Sequence, residues 1–160
     1  MKKSTFNVAF RRKREGKTDY KKRLAILKSR TTRAVIRRSN KNLLIQAIDF
    51  TPEGDKIITF AHTNELKKYG WKGANGNTSA AYLCGILFAK KAQSKKVKKV
   101  IADIGMQTSV KQGTLYGAAK GIKDGGLEIE VSQEILPEEK RIKGKNSQNF
   151  EEVKKKLGAL

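Results

Sequence analysis

Residues 32–62, TRAVIRRSNKNLLIQAIDFTPEGDKIITFAH, decide the fold. TRAVIRR (32–38), LLIQAIDF (43–50) and KIITFAH (56–62) are each rich enough in β-branched and apolar residues for a strand. Ser39-Asn40-Lys41-Asn42 separates the first two as an Asn-rich turn, whose side chains tolerate positive φ. Thr51-Pro52-Glu53-Gly54-Asp55 separates the second from the third, and Pro52 sits where its fixed φ helps and its missing donor costs nothing. Three strands with short connections predict an antiparallel meander.

Downstream the period changes. After a short helical piece, ELKKYGW, and the glycine-rich GANG, Asn77 or Thr78 caps a strong helix running to about Ala92. Ala80, Ala81, Leu83, Cys84, Leu87 and Phe88 give it a broad buried face, and Lys90 and Lys91 suit the dipole of its last turn. KVIADI (99–104) is apolar enough for a central strand. Gly113 to Lys123 is a second helix with Leu115, Ala118, Ala119 and Ile122 inward, ended by Gly125-Gly126. LEIEV (127–131) alternates as a fifth strand. The class is α/β: an antiparallel three-strand meander followed by two α-β units, a ribonuclease H-like motif. Right-handed crossovers place the two later strands parallel beside the meander in a mixed sheet. Residues 132–147 read as extended, and 148–160 as a terminal helix with Phe150, Val153 and Leu157 on one face. The expected division is a basic arm (1–17), an α/β domain (18–131) and a C-terminal extension (132–160).

Upstream, residues 1–17 have no periodic apolar face and read as an extended arm ordered only on a partner. Thr18 or Asp19 caps a short helix in which Tyr20, Leu24 and Leu27 form one stripe. Lys21 and Lys28 share one flank of the stripe, Arg23 and Arg30 the other. Such a helix docks by its stripe, so Leu24→Ala is expected to cost about 2–5 kcal/mol if that residue is buried.

Charge singles out this same region. Of nine arginines eight precede residue 39, and residues 1–41 hold 16 Lys/Arg against 2 Asp/Glu, hence +14 of the net +21. Self-repulsion of that size works against a compact state unless a polyanion neutralises it. An Arg-rich run interleaved with Phe6, Phe10 and Tyr20 points to nucleic acid rather than to a merely solvated face. The candidate RNA-binding residues are Arg11, Arg12, Lys13, Arg14, Lys17, Thr18, Tyr20, Lys21, Arg23, Lys28, Arg30, Arg33, Arg37, Ser39, Asn40 and Lys41, with Trp71 and Lys72 as a possible stacking and phosphate pair.

Other chemistries fare poorly. One cysteine, Cys84, allows no internal disulfide, and with the single His62 it cannot make a four-ligand zinc site. Cys84 reads as a small core residue and His62 as structural. The run Gly70 to Gly76 lacks the lysine and spacing of a P-loop. Asp49 and Asp103 could lie at strand positions as in a two-metal nuclease, yet residues 77–92 supply no acid to support them. The wholly apolar run Ala80 to Ala89 is too short to span a bilayer. The reading is therefore no enzyme, no metal, no cofactor, no membrane and no small-molecule substrate. A general nucleic-acid chaperone or DNA-compacting protein is the alternative.

GKTDYKKRLAILKSRTTRAVIRRSNKNLLIQ closely resembles the ribosomal protein L-eighteen family of the large subunit in its archaeal and eukaryotic form. YGWKGANGNTSAAYLCGILFAKKA, DIGMQTSVKQGTLYGAAKGIKDGGLEIEVSQEI and PEEKRIKGKN extend the likeness over roughly residues 6–146. The resemblance implies a structural protein of the cytoplasmic ribosome that binds 5S rRNA. It also implies contact with the large-subunit rRNA and neighbouring ribosomal proteins of the central protuberance. Family motif positions fall on Arg11, Arg12, Arg14, Lys17, Thr18, Asp19, Tyr20 and Arg23, then on Arg37, Ser39, Asn40 and Lys41. The chain departs from the family pattern at Thr114, usually basic, and at Ile129-Glu130-Val131, usually Ile-Pro-His.

Overall fold

The computed structural model describes residues 7–144 and 149–159; Phe6 with the rest of 1–6, residues 145–148 and Leu160 lie outside the described residues. In chain order there is one helical turn, α1 (Arg11–Arg14), then α2 (Tyr20–Leu27). The strands β1 (Arg33–Arg38), β2 (Leu43–Thr51) and β3 (Gly54–His62) follow, then a 3-10 stretch (Thr63–Tyr69) and α3 (Thr78–Ser94). Next come β4 (Lys99–Asp103), α4 (Thr114–Asp124) and β5 (Glu128–Ile129). A 3-10 turn (Gln133–Ile135), α5 (Glu139–Lys143) and α6 (Phe150–Gly158) close the order.

The five strands form one sheet in the order β3-β2-β1-β4-β5. The meander is antiparallel, and β4 and β5 join it in parallel, as the sequence predicts. Strand alternation sorts the residues by face. Ala34, Ile36, Leu43, Ile45, Ala47 and Ala61 enter the core beneath α3 and α4. Arg33, Val35 and Arg37 of β1 alternate with them and so belong to the opposite face.

The two central helices meet backbone to backbone. A Cβ at Gly85 of α3 would lie 2.3 Å from the Ala118 carbonyl oxygen, and one at Gly121 of α4 only 2.0 Å from that of Tyr82. Only hydrogen fits at these two positions.

Three expectations change. The arm is not simply extended: Arg11–Arg14 form a helical turn with no buried residue, and the Lys17 and Thr18 N–H groups donate back to the Arg12 carbonyl at 2.9 and 3.3 Å. Local hydrogen bonding supplies the order that no apolar period signals. Residues 132–147 are not simply extended either, because Gln133–Ile135 and α5 are helical. Ile142 of α5 is buried, and Ser79 Oγ donates to its carbonyl at 2.5 Å. Finally, only Glu128 and Ile129 of the expected fifth strand pair, with Lys99 and Val100. The alternation continues without pairing, for Leu127 and Ile129 are buried and Glu130 is exposed. In α6, Phe150, Val153 and Leu157 face inward as expected and join the same core as the sheet.

Cys84 is wholly buried, and loss of solvent first, then nearby Glu65, pushes its thiol far above the ordinary range, against a smaller opposing effect of Lys91. The thiolate is the reactive form. The folded protein is expected to ignore a thiol reagent at pH 8 and to react stoichiometrically once denatured; rapid reaction in native buffer would contradict this burial.

Candidate nucleic-acid interface

Asp19 starts α2 by accepting from the Lys21 and Lys22 amides at 3.0 and 3.2 Å, satisfying two of the free donors of the first turn. The arm is folded against this start. Arg12 Nε donates to Thr18 Oγ1 at 2.9 Å, and the Phe10 and Tyr20 rings pack 5.3 Å apart at 47°. Arg11, Arg12, Lys13, Arg14, Lys17, Lys21, Lys28 and Arg30 are all exposed around them.

The expected docking stripe is not docked. Tyr20 and Leu24 are 36% and 58% exposed, and α2 has no buried residue. Arg23, Ile26 and Leu27 are half-buried instead. Ile26 shares a cleft of about 300 Å³ with Val35 and Ile48 of the sheet, and Arg23 ion-pairs with Asp55 at 2.8 Å. The ion pair turns the Arg23 side of the helix inward. Leu24 is therefore outward, and Leu24→Ala should change stability by no more than about 0.5 kcal/mol in thermal melting, not by the cost of a core cavity.

Arg12, Lys17, Thr18, Arg23 and Arg37 line that same cleft, so strand and arm cations meet across it. Arg37 and Arg38 are exposed where β1 leaves the core. In the turn that follows, Ser39 Oγ donates to the Asn42 carbonyl at 3.0 Å and accepts from the Asn42 amide at 3.1 Å. This closes the loop and leaves Asn40 and Lys41 exposed. Asn75 Nδ2 bridges to Asn64 Oδ1 at 2.7 Å and Asn42 Oδ1 at 3.3 Å, bringing the glycine-rich loop against the turn. Lys72 thereby lines a shallow groove with Asn40 and Lys41. Lys67 and Asn75, which the sequence reading passed over, line it too. The two consecutive lysines of ELKKYGW and the Asn within GANG were the available signals.

Two candidates must be corrected. Arg33 is 4% exposed and is held by Asp103 at 3.1 Å and Asp55 at 2.9 Å, so it is an internal ion pair rather than a phosphate ligand. Its place on the face beneath α2, next to two carboxylates, removes it from solvent. Trp71 is also buried, at 4% exposure, and Gly73 passes so close over its ring that a Cβ there would sit 2.6 Å from it. It offers no face to a base; Lys72 beside it is exposed.

His62 is structural, as expected: its Nδ1 accepts from the Asn64 amide at 3.1 Å, and its own amide donates to Glu65 Oε1 at 3.1 Å. Asp103 is engaged with Arg33 and with the Gly105 amide at 2.9 Å. Among the described residues no group of three or more His, Cys, Asp and Glu could hold a metal ion.

Residues 4–102 match the family described as ribosomal large subunit proteins 60S L5, and 50S L18. The large ribosomal subunit protein uL18 of Korarchaeum cryptofilum is 48% identical over 155 residues, covering 97% of this chain and 80% of the relative. Those of Thermofilum pendens and Methanobrevibacter smithii are 43% and 42% identical, over 94% and 93% of this chain and 76% and 77% of theirs. The chain belongs to this ribosomal family. It is a family of structural rather than enzymatic proteins, which fits a surface built from cations and amides. The relatives are named as proteins of the large ribosomal subunit, and all of the candidate cations, from Arg11 to Lys72, lie within the family-matched residues. No described helix is long and apolar enough to cross a membrane.

Proposed function

We propose that this uL18-family chain binds 5S rRNA and attaches it to the large rRNA in the central protuberance of the large subunit of the cytoplasmic ribosome, beside neighbouring ribosomal proteins. The observation that carries the reading is the crowding of exposed cations on α1, the start of α2 and the end of β1. The proposed RNA-binding residues are Arg11, Arg12, Lys13, Arg14, Lys17, Thr18, Tyr20, Lys21, Arg23, Lys28, Arg30, Arg37, Ser39, Asn40, Lys41 and Lys72. The arginines and lysines neutralise phosphates and release counterions, Thr18 and Asn40 supply hydrogen bonds to sugar and phosphate, and Ser39, its proton held by the Asn42 carbonyl, fixes the turn and can accept from a sugar hydroxyl. The helical turn of α1, closed onto Thr18, spares part of the entropy that a fully disordered arm would lose on binding. In this reading residues 1–17 are the RNA-binding arm, 18–131 the RNA-binding body, and 132–160 an extension.

Competition among 5S rRNA, tRNA and duplex DNA at moderate salt tests it. Clear preference for 5S rRNA is expected. Equal affinity for all three would replace this reading with that of a general nucleic-acid chaperone.

A further inference from the structure

α2 carries part of the proposed RNA surface, yet it gives no residue to the hydrophobic core. Besides the contact of Ile26 with the sheet face, ion pairs tie it to the sheet. Arg23 Nη2 of α2 and Arg33 Nη2 of β1 lie 2.8 and 2.9 Å from the same Asp55 Oδ2 of β3. Arg33 Nη1 continues to Asp103 Oδ2 of β4 at 3.1 Å. Lys22 Nζ adds a bond to the Gly105 carbonyl at 3.3 Å. Asp55 is the member of this chain of contacts that joins the helix to the buried arginine. Beneath the helix a cleft of about 300 Å³ remains beside Ile26, Val35 and Ile48, so apolar contact there is partial and the ion pairs add to it. Without the Asp55 charge, two guanidinium groups would face each other across a partly buried gap, one of them 4% exposed.

We propose that Asp55 is a positioning residue for RNA binding, holding α2 through Arg23 so that Lys21, Arg23 and Lys28 meet phosphates together with the arm. This rests on the reading of 5S rRNA as the ligand. It makes a prediction opposite in sign to that of charge alone. Neutralising one acid of a protein with net charge +21 should tighten binding to a polyanion if only the overall field matters. If Asp55 positions α2, the same substitution weakens binding, because the helix cations no longer act in register with the arm.

The test compares 5S rRNA binding by the full chain and by D55N, D103N and E53Q across a salt series. D103N takes a carboxylate from the same Arg33 but has no ion pair to α2, reaching the helix only through the Gly105 turn that Lys22 contacts, so it reports chiefly the structural cost. E53Q repeats the charge change at an exposed turn position. Expected for D55N is about tenfold weaker binding, with a log K against log salt slope smaller by about 1, while D103N and E53Q stay within about twofold of wild type. D55N binding as tightly as wild type or tighter, equal weakening in D55N and D103N, or weakening with an unchanged slope would overturn the proposal. Absence of a 5S rRNA preference in the wild-type chain is a separate result, which counts against the ligand and not against Asp55.

Discussion

Replacing Arg11, Arg12 and Arg14 together by alanine is expected to weaken 5S rRNA binding by about 100-fold near physiological salt and to lower the salt slope by about 2 to 3. All three are exposed, and within the described protein their side chains make only a 3.7 Å ion pair from Arg11 to Glu15 and the bond from Arg12 to Thr18. Exposed pairs of this kind add little to stability, so the melting curve should hardly move. Each lost cation removes a phosphate contact and the counterions released with it, which is why affinity and slope must fall together. Filter binding or fluorescence anisotropy over a range of salt concentrations measures both. Weakened binding with an unchanged slope would mean that the arm shapes the surface without touching phosphate.

Gly121→Ala acts on the other half of the molecule, with the opposite pattern. The new Cβ would meet the Tyr82 carbonyl oxygen at 2.0 Å and its carbon at 2.9 Å, both rigid backbone. Alanine raises helix propensity by up to about 1 kcal/mol at an unconstrained site. Forced separation of two closely packed helices costs more, at the upper end of the roughly 1–3 kcal/mol typical of overpacking. The net effect should be a fall of several degrees in melting temperature. Gly158→Ala, in α6 with nothing within 4 Å of its would-be Cβ, is the control, and it should be neutral or slightly stabilising. Affinity for RNA at low temperature, where the variant remains folded, should stay near wild type. Wild-type melting of Gly121→Ala would show that α3 and α4 can part without cost.

These two substitutions divide the protein as its sequence does. A basic, Arg-rich quarter carries most of the proposed binding surface, and a glycine- and alanine-rich α/β body carries the stability. The meander, both α-β units, the inward face of α6 and the two caps to within a pair of residues each are legible without coordinates, because each rests on local periodicity or on a short side chain next to a free amide; the structure selects Asp19 over Thr18 and Asn77 over Thr78. The cationic character of residues 11–41 is equally plain, since charge is a property of composition.

Burial is different, because it depends on what lies opposite. Arg33 and Arg37 sit on one face of one strand and look alike in sequence, yet Arg33 is enclosed by Asp55 and Asp103 while Arg37 stays in solvent. The stripe of Tyr20, Leu24 and Leu27 has the right spacing to be covered, but among the described residues no helix or strand covers Tyr20 and Leu24, and the ion pair to Asp55 turns α2 the other way. Trp71 beside Lys72 looked like an RNA contact until the close passage of Gly73 enclosed its ring. The sequence by itself determined the order of the elements from α2 to β5, the topology of the sheet and the charge that points to a polyanion. Only the tertiary structure decided which of the cations are exposed, because a side chain's exposure is set by distant residues brought against it in folding.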